Sequence, residues 1–201
     1  MPEETPSLWS SSDAYDRYMG RWSRKVAPLF LDWVDAPSEK TWVDIGCGSG
    51  GLTHQIAVRC SPSQLLGIDP SDGFVESAKA LVPSADFRVG SAVGLELPDG
   101  SVDLVVSGLV LNFVPDSGKM ISEMARIVHP GGTAASYVWD YAGHMQIMRY
   151  FFDSALEIDE GASAFDDGTP PSAGRSPCQM HSTQWDWLMS KRPRSTSRRH
   201  S

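Results

Sequence analysis

The chain has 201 residues, a hydrophobic content of 41% and a formal net charge of −8. These values fit one globular domain with a substantial core, and the acidic balance argues against a protein that follows a nucleic-acid backbone. The sequence contains no apolar run of transmembrane length, no leader-like start, and no metal-ligand spacing or disulfide framework among its three cysteines. We therefore expect a cytoplasmic protein without nucleic-acid, membrane or metal partners.

Short apolar runs alternate with amphipathic stretches from residue 12 to residue 158. In chain order they predict a helical segment over 12–34 broken near Gly20, strands over 41–46, 64–69, 85–89, 102–107 and 133–139, and helices over 50–59, 71–82, 117–128 and 143–158. Ser71 is expected to cap the helix that follows it, and Pro130-Gly131-Gly132 to stop the helix over 117–128. Strands and helices that alternate at this pitch form a parallel sheet covered on both faces.

Glycines join the first predicted strand to the helix that follows it. The segment Gly46-Cys47-Gly48-Ser49-Gly50-Gly51 offers little side-chain bulk, so a ligand can approach the backbone closely. The helix N-terminus behind it presents free amides and the positive end of a dipole. The pattern predicts a binding loop for a nucleoside-like cofactor. Cys47 lies in this loop either as a reactive thiol or as a small residue that fits.

Two acids indicate which cofactor binds. Asp44 precedes the first glycine by two residues, where it would repel a pyrophosphate and attract an ammonium group. Asp69 ends the second strand, where a carboxylate can accept hydrogen bonds from both ribose hydroxyls. A ribose and an amino acid without phosphate describe S-adenosylmethionine. The spacing Gly46-x-Gly48-x-x-Gly51 also fits the dinucleotide fingerprint, so a dinucleotide-dependent oxidoreductase stays as an alternative.

Four motifs in order, VDIGCGSG, GIDPS, LELPDGSVDLVVS and ARIVHPGG, resemble those of class I S-adenosylmethionine-dependent methyltransferases. The small-molecule, type 11-like branch, which includes quinone-biosynthesis C-methyltransferases, is nearest. The resemblance covers roughly residues 12–158. It implies a doubly wound, mostly parallel, Rossmann-like α/β sheet and methyl transfer from S-adenosyl-L-methionine to a small organic acceptor. AYDRYMGRWSR is similar to the helical lid of many relatives, which implies a lid over 1–40 and a cofactor-binding core over 41–158.

The adenine would lie beside the turns after strands two and three. Pro70 and Ser71 would flank it. In relatives the turn after strand three commonly offers an Asp to the adenine amino group, and the matching pair here is Ser91 and Ala92. Ser91 can still accept a hydrogen bond, although the backbone can also do the recognition alone.

The methionine part of the cofactor would lie at the end of strand four. Ser107, Gly108 and Leu109 would line it through their backbone carbonyls. From the lid, Tyr18 and Arg21 would close over the cofactor, and Arg21 would pair its carboxylate. Core packing is the competing interpretation for the lid aromatics, because they recur at helical spacing.

The acceptor side carries few candidates for catalysis. Asn112 and Phe113 follow strand four and would face the substrate, with ordinary loop packing as the alternative. Asp140, Tyr141 and His144 follow strand five and form the only plausible general-base cluster, although a histidine near a helix start is often only solvated. The sequence leaves the catalytic residues, the acceptor and the oligomeric state open.

The predicted alternation fails after Asp159. The family's sheet normally ends with two further strands, and residues 161–201 contain no recognisable form of either. This segment is rich in Ser, Pro, Gly and Arg, which predicts a disordered or degenerate tail over 159–201. Either the chain is a natural short form or its reading frame is altered after about residue 160. A catalytically impaired, cofactor-binding remnant is therefore the second functional hypothesis.

Overall fold

The computed structural model describes residues 21–140, 146–159 and 161. In this part of the chain, helices and strands alternate as α1 (Arg21–Val34), β1 (Thr41–Ile45), α2 (Gly51–Arg59), β2 (Gln64–Asp69), α3 (Asp72–Leu81), β3 (Asp86–Val89), β4 (Val102–Gly108), α4 (Ser117–Ile127), β5 (Val128–Tyr137) and α5 (Gln146–Ile158). A single 3-10 turn at Leu111–Phe113 follows β4. None of the described helices is both long and apolar enough to cross a membrane.

All five described strands are parallel, in the order β3-β2-β1-β4-β5. The chain moves outward from β1 through β2 to β3 and then returns to the other side of β1 for β4. The order reverses between β1 and β4, and ligands of open α/β sheets bind at the carboxyl ends of strands around such a point. The expected doubly wound α/β sheet is confirmed. The structure does not describe residues 162–201, so the expectation that the sheet lacks its last two strands stays a prediction.

Side chains of β1 alternate between two cores, one on each face of the sheet. Trp42 belongs to the core under α1 and α2, and Val43 and Ile45 belong to the core under α4. The first core contains Ala27, Phe30, Leu31, Trp42, Leu52, Ile56, Leu65, Leu104, Val106 and Ala135. The second contains Val43, Ile45, Ile68, Leu95, Val102, Val105, Leu111, Met120, Met124 and Ile127. Burial on both faces makes the central strands rigid supports for the loops at their ends.

The junction of α4 and β5 differs from the prediction. The helix ends at Ile127 and β5 begins at once at Val128, so Pro130-Gly131-Gly132 lies inside the strand and does not stop the helix. The pairing of β4 with β5 shifts register between Val102 and Leu104, and the surplus residues bulge out of β5. A Cβ on Gly132 would lie 2.5 Å from the Asp103 carbonyl oxygen, so only glycine lets the chain re-enter the sheet there. The predicted strand over 133–139 was wrong in both bounds.

Candidate functional site

The glycine loop turns the chain sharply off the end of β1. The amides of Gly46 and Cys47 both donate to the Ile68 carbonyl, at 2.7 and 3.1 Å. Gly46 and Gly48 have positive φ values, 71° and 54°. A Cβ on Gly46 would lie 2.5 Å from a Val110 methyl, whereas a Cβ on Gly48 would meet nothing within 4 Å. The space beside Gly48 is therefore open to a ligand.

Asp44 lies at the carboxyl end of β1 and is 1% exposed. The Thr53 hydroxyl donates to its Oδ2 at 2.6 Å, while its Oδ1 is buried and has no hydrogen-bond partner among the described residues. Burial raises the pKa of Asp44 to about 7, the Thr53 hydroxyl opposes that rise, and the charge of Asp69 adds to it. A buried carboxylate oxygen without a donor fits a cationic ligand group such as an ammonium.

Asp69, the last residue of β2, joins the glycine loop to the next turn. Its Oδ2 accepts from the Gly48 amide at 3.0 Å and its Oδ1 from the Ser71 amide at 2.9 Å. Burial raises the pKa of Asp69 above its ordinary value, although both amides act against that rise. Each carboxylate oxygen keeps a second lone pair, so acceptance from ribose hydroxyls is compatible with these contacts. The sequence predicted a ligand role for this acid and missed its role in holding the loop.

The turns after β2 and β3 lie side by side. The Gly90 amide donates to the Asp69 carbonyl at 3.0 Å, which joins the two strand ends. Pro70 is exposed, and the Ser71 hydroxyl caps α3 as predicted, accepting from the Phe74 amide at 3.4 Å.

Ser91 and Ala92, the pair that follows β3, already make contacts within the protein. The Ser91 hydroxyl accepts from the Val93 amide at 3.3 Å, and Ala92 packs against the core under α4. The Ser91 hydroxyl proton is not used in that bond. Recognition of adenine by Ser91 and Ala92 stays a prediction.

The end of β4 is shaped by an unusual backbone conformation. Leu109 has φ 63°, and its amide donates to the Tyr137 carbonyl at 2.8 Å. The left-handed conformation costs a residue with a side chain roughly 1 kcal/mol, so the surrounding contacts hold it in place. Ser107 is buried, and its hydroxyl donates to the Ile45 carbonyl at 2.8 Å, which ties β4 to the start of the glycine loop. A Cβ on Gly108 would lie 2.6 Å from the Tyr137 hydroxyl, so any other residue there would have to displace the tyrosine ring.

The structure separates the two interpretations of Cys47. The residue is 6% exposed, and its Sγ would lie 3.0 Å from a Cβ on Gly67. Burial, together with the charges of Asp44 and Asp69, raises the pKa of the Cys47 thiol far above its ordinary value. A thiol that stays protonated is a poor nucleophile, so Cys47 serves as a small packing residue.

Several predicted residues lie outside the part that the structure describes. Tyr18, Tyr141 and His144 are among them, and the side chain of Arg21, at the start of α1, is not described either. Asp140 is described and exposed. The structure therefore does not test the general-base cluster or the lid contacts. Among the described residues, no group of three or more His, Cys, Asp or Glu side chains could hold a metal ion.

The 3-10 turn after β4 presents one apolar and one polar side chain. Phe113 is 52% exposed. The Asn112 side-chain amide donates to the Trp139 carbonyl at 3.4 Å, which links this turn to the end of β5. The link places both residues near the carboxyl ends of β4 and β5, on the side expected to face the acceptor.

A family model described as a methyltransferase domain matches residues 43–136. Residues 43–136 therefore resemble a methyltransferase domain, and the parallel α/β sheet that they contain is consistent with that resemblance. A similar curated protein, trans-aconitate 2-methyltransferase of Methylobacterium radiotolerans, is 31% identical over 121 residues, which cover 60% of this chain and 46% of that protein. The chain thus spans about half the length of that relative.

Solved structures share the fold of this chain. A candidate methyltransferase in complex with the Haloferax volcanii Trm112 methyltransferase activator has a TM-score of 0.64, 23% identity, and coverage of 79% of this chain and 76% of that one. A candidate S-adenosyl-L-methionine-dependent methyltransferase from Methanococcus maripaludis has a TM-score of 0.61, 16% identity, and coverage of 95% and 87%. At these identities the likeness establishes the fold alone.

Proposed function

We propose that the protein transfers a methyl group from S-adenosylmethionine to a small organic acceptor in the cytoplasm. The observation that carries the proposal is the buried Oδ1 of Asp44, which has no hydrogen-bond partner among the described residues and lies beside the open side of the glycine loop. The methyltransferase-domain match over residues 43–136 supports the same cofactor. The free cysteines Cys47 and Cys60 fit a reducing compartment.

The cofactor's polar groups match the polar atoms along this edge of the sheet. Its ammonium would pair with Asp44, its ribose hydroxyls with Asp69, and its methionine backbone with the turn at Leu109. The residues that we assign to the cofactor are Asp44, Gly46, Cys47, Gly48, Asp69, Pro70, Ser71, Ser91, Ala92, Ser107, Gly108 and Leu109, with Tyr18 and Arg21 from the lid. The lid over 1–40, the core over 41–158 and the tail over 159–201 stay our proposed division of the chain.

When bound, S-adenosylmethionine supplies an already activated methyl group on a sulfonium. The protein then has to orient the acceptor in line with that methyl and exclude water, and such alignment can supply roughly 7–11 kcal/mol. The turn at Leu109, with its left-handed backbone, would line the cofactor, and the exposed ring of Phe113 would offer an apolar surface to the acceptor. An amine, a thiol or an acidic carbon can react without a dedicated base, so Asp140, Tyr141 and His144 are not required for every acceptor.

The dinucleotide alternative fits the site less well. A pyrophosphate at the glycine loop would face Asp44 and Asp69, which lie close enough for the charge of Asp69 to raise the pKa of Asp44. Like charges at such range repel, and burial strengthens the repulsion because the local dielectric is low.

Isothermal titration calorimetry with S-adenosylhomocysteine and with NADH tests the proposal. We expect micromolar binding of S-adenosylhomocysteine and none of NADH. Asp44→Asn should weaken S-adenosylhomocysteine binding, whereas the matched control Asp86→Asn, an exposed acid on β3, should leave it unchanged. Tighter binding of NADH would contradict the proposal and favour an oxidoreductase.

Turnover needs a separate experiment. Incubation with a donor labelled in the transferred methyl and with small-molecule extracts should yield a labelled product that depends on the intact protein. Binding without any labelled product would favour the impaired, cofactor-binding remnant.

A further inference from the structure

The surroundings of Asp44 contain acids but no described cation that acts on it. On the β2 side lies Asp69, whose charge raises the pKa of Asp44, and in the glycine loop lies the Cys47 thiol, which Asp44 affects in turn. On the β4 side the paired residue is Val106, which is apolar. From α2, Thr53 supplies both a hydroxyl and a backbone amide that favour the charged form. Thr53 is thus the one described side chain that donates to this carboxylate.

The two oxygens of Asp44 are therefore not equivalent. Thr53 occupies Oδ2 at 2.6 Å, and Thr53 is itself fully buried, so the pair is fixed in one geometry. Oδ1 is the oxygen left for either a proton or a cation. A carboxylate this deeply buried holds its proton up to near neutral pH unless a cation compensates its charge.

We propose that Thr53 is a positioning residue that, with Asp44, makes cofactor binding proton-linked: the cofactor ammonium takes the place of a proton on Asp44 Oδ1, and that proton leaves to solvent. The inference rests on the proposed function, because it needs a ligand with an ammonium group at this site. One proton is released per ligand bound, and no covalent bond other than this O–H bond changes.

The linkage predicts how affinity changes with pH. Below neutral pH, binding has to remove the proton from Asp44, so affinity for S-adenosylhomocysteine should rise up to about tenfold per pH unit. The rise should end near neutral pH, where Asp44 is already ionised. Above about pH 8 the ligand's own amino group loses its proton, and affinity should fall again.

Calorimetry in two buffers of different ionisation enthalpy measures the protons released. For the wild-type protein we expect release of about one proton per S-adenosylhomocysteine near pH 6, declining towards zero near pH 8. Asp44→Asn should bind more weakly and release none. Binding without proton release near pH 6, or release that persists in Asp44→Asn, would overturn the linkage while leaving the proposed function intact. Absence of binding at every pH would instead overturn the proposed function and the inference with it.

Variants of Thr53 separate positioning from simple packing. Thr53→Val keeps the shape and removes the hydroxyl, so we expect about tenfold weaker binding at neutral pH and a shift of the affinity maximum to higher pH. Thr53→Ser should restore both. The matched control Ser77→Ala removes an exposed helix hydroxyl that donates to the Gly73 carbonyl, and should change neither.

A pH profile unchanged in Thr53→Val would show that Thr53 only fills space. Circular dichroism verifies the fold of each variant. The proton count of the wild-type protein does not depend on any substitution, so it tests the linkage even where Thr53→Val does not fold.

Discussion

Acids at the carboxyl ends of the strands and acids at their amino ends have pKa values that are shifted in opposite directions. We call these two sides of the sheet the carboxyl edge and the amino edge. At the carboxyl edge, Asp44 and Asp69 are buried, and burial raises the pKa of both. At the amino edge, donors surround Asp103 and Glu123, and hydrogen bonds lower the pKa of each to about 2. An acid whose charge is matched within the fold stabilises the fold, whereas a buried acid with a raised pKa is a candidate for binding a ligand.

The acids of the amino edge accept hydrogen bonds from several donors within the protein. Asp103 accepts from the Lys40 ammonium at 3.1 Å and the Thr41 amide at 2.9 Å, and it lies 3.1 Å from His129 Nε2. Glu123 pairs with Arg126, whose guanidinium also donates to carbonyls and a carboxylate of the loop before β4. We therefore regard the amino edge as structural.

Two glycine substitutions should give the largest contrast between the edges. Gly132→Ala pushes a Cβ against the Asp103 carbonyl and should cost about 2–3 kcal/mol of folding free energy without changing cofactor affinity in the folded fraction. Gly48→Ala meets no neighbour and should cost only about 1 kcal/mol of folding, yet should abolish cofactor binding. Urea unfolding and calorimetry with S-adenosylhomocysteine measure the two effects. Equal losses of stability would contradict the difference between the edges.

Asp69→Ala should weaken S-adenosylhomocysteine binding by about 1–3 kcal/mol, because it removes the ribose acceptor and the brace on the Gly48 amide. Asp103→Ala is the matched substitution at the amino edge and should lower the melting temperature without changing affinity. Unchanged affinity in a folded Asp69→Ala variant would remove the ribose assignment.

Asp44 should make the free protein less stable as the pH rises. Its folded pKa, about 7, lies above its ordinary value of 3.8, so its contribution is fully present below 3.8 and is lost as the pH rises through 7. Urea titrations should show a loss on the order of 1 kcal/mol per pH unit approaching neutrality that is absent in Asp44→Asn. Asp103 and Glu123 act in the opposite direction, since their contributions are lost as the pH falls through about 2. Parallel profiles of wild type and Asp44→Asn would refute this account.

His129 should have the smallest effect. Its ring nitrogens face the Pro130 carbonyl and Asp103, and these contacts raise the pKa of His129 above its ordinary value. Its contribution to stability is therefore present at low pH and is lost as the pH rises through the folded pKa. His129→Gln should lower the melting temperature slightly at acidic pH and not at alkaline pH, with cofactor affinity unchanged. A change in affinity would link the amino edge to the site.

Much of this molecule could be predicted without coordinates. The bounds of β2 were predicted to the residue, and Ser71 was correctly expected to cap α3. These features depend on local chemistry, namely apolar runs between turn residues and a hydroxyl that meets free amides. The position of β5 was missed, because glycines that signal a stop along the chain here permit a bulge against β4.

The candidate site shows the same division between local pattern and three-dimensional contact. Asp44, Asp69 and the glycine loop stand out in the sequence because strand ends and missing side chains leave a local pattern. Thr53 carries no such signal, since a threonine inside a helix is common and its partner lies on another element. Nor does the sequence show that Asp44 keeps one oxygen without a donor among the described residues, while the charge of Asp103 is matched by hydrogen bonds. That distinction depends on burial and on donors brought from distant parts of the chain, so only the folded protein decides which acid is free to bind a ligand.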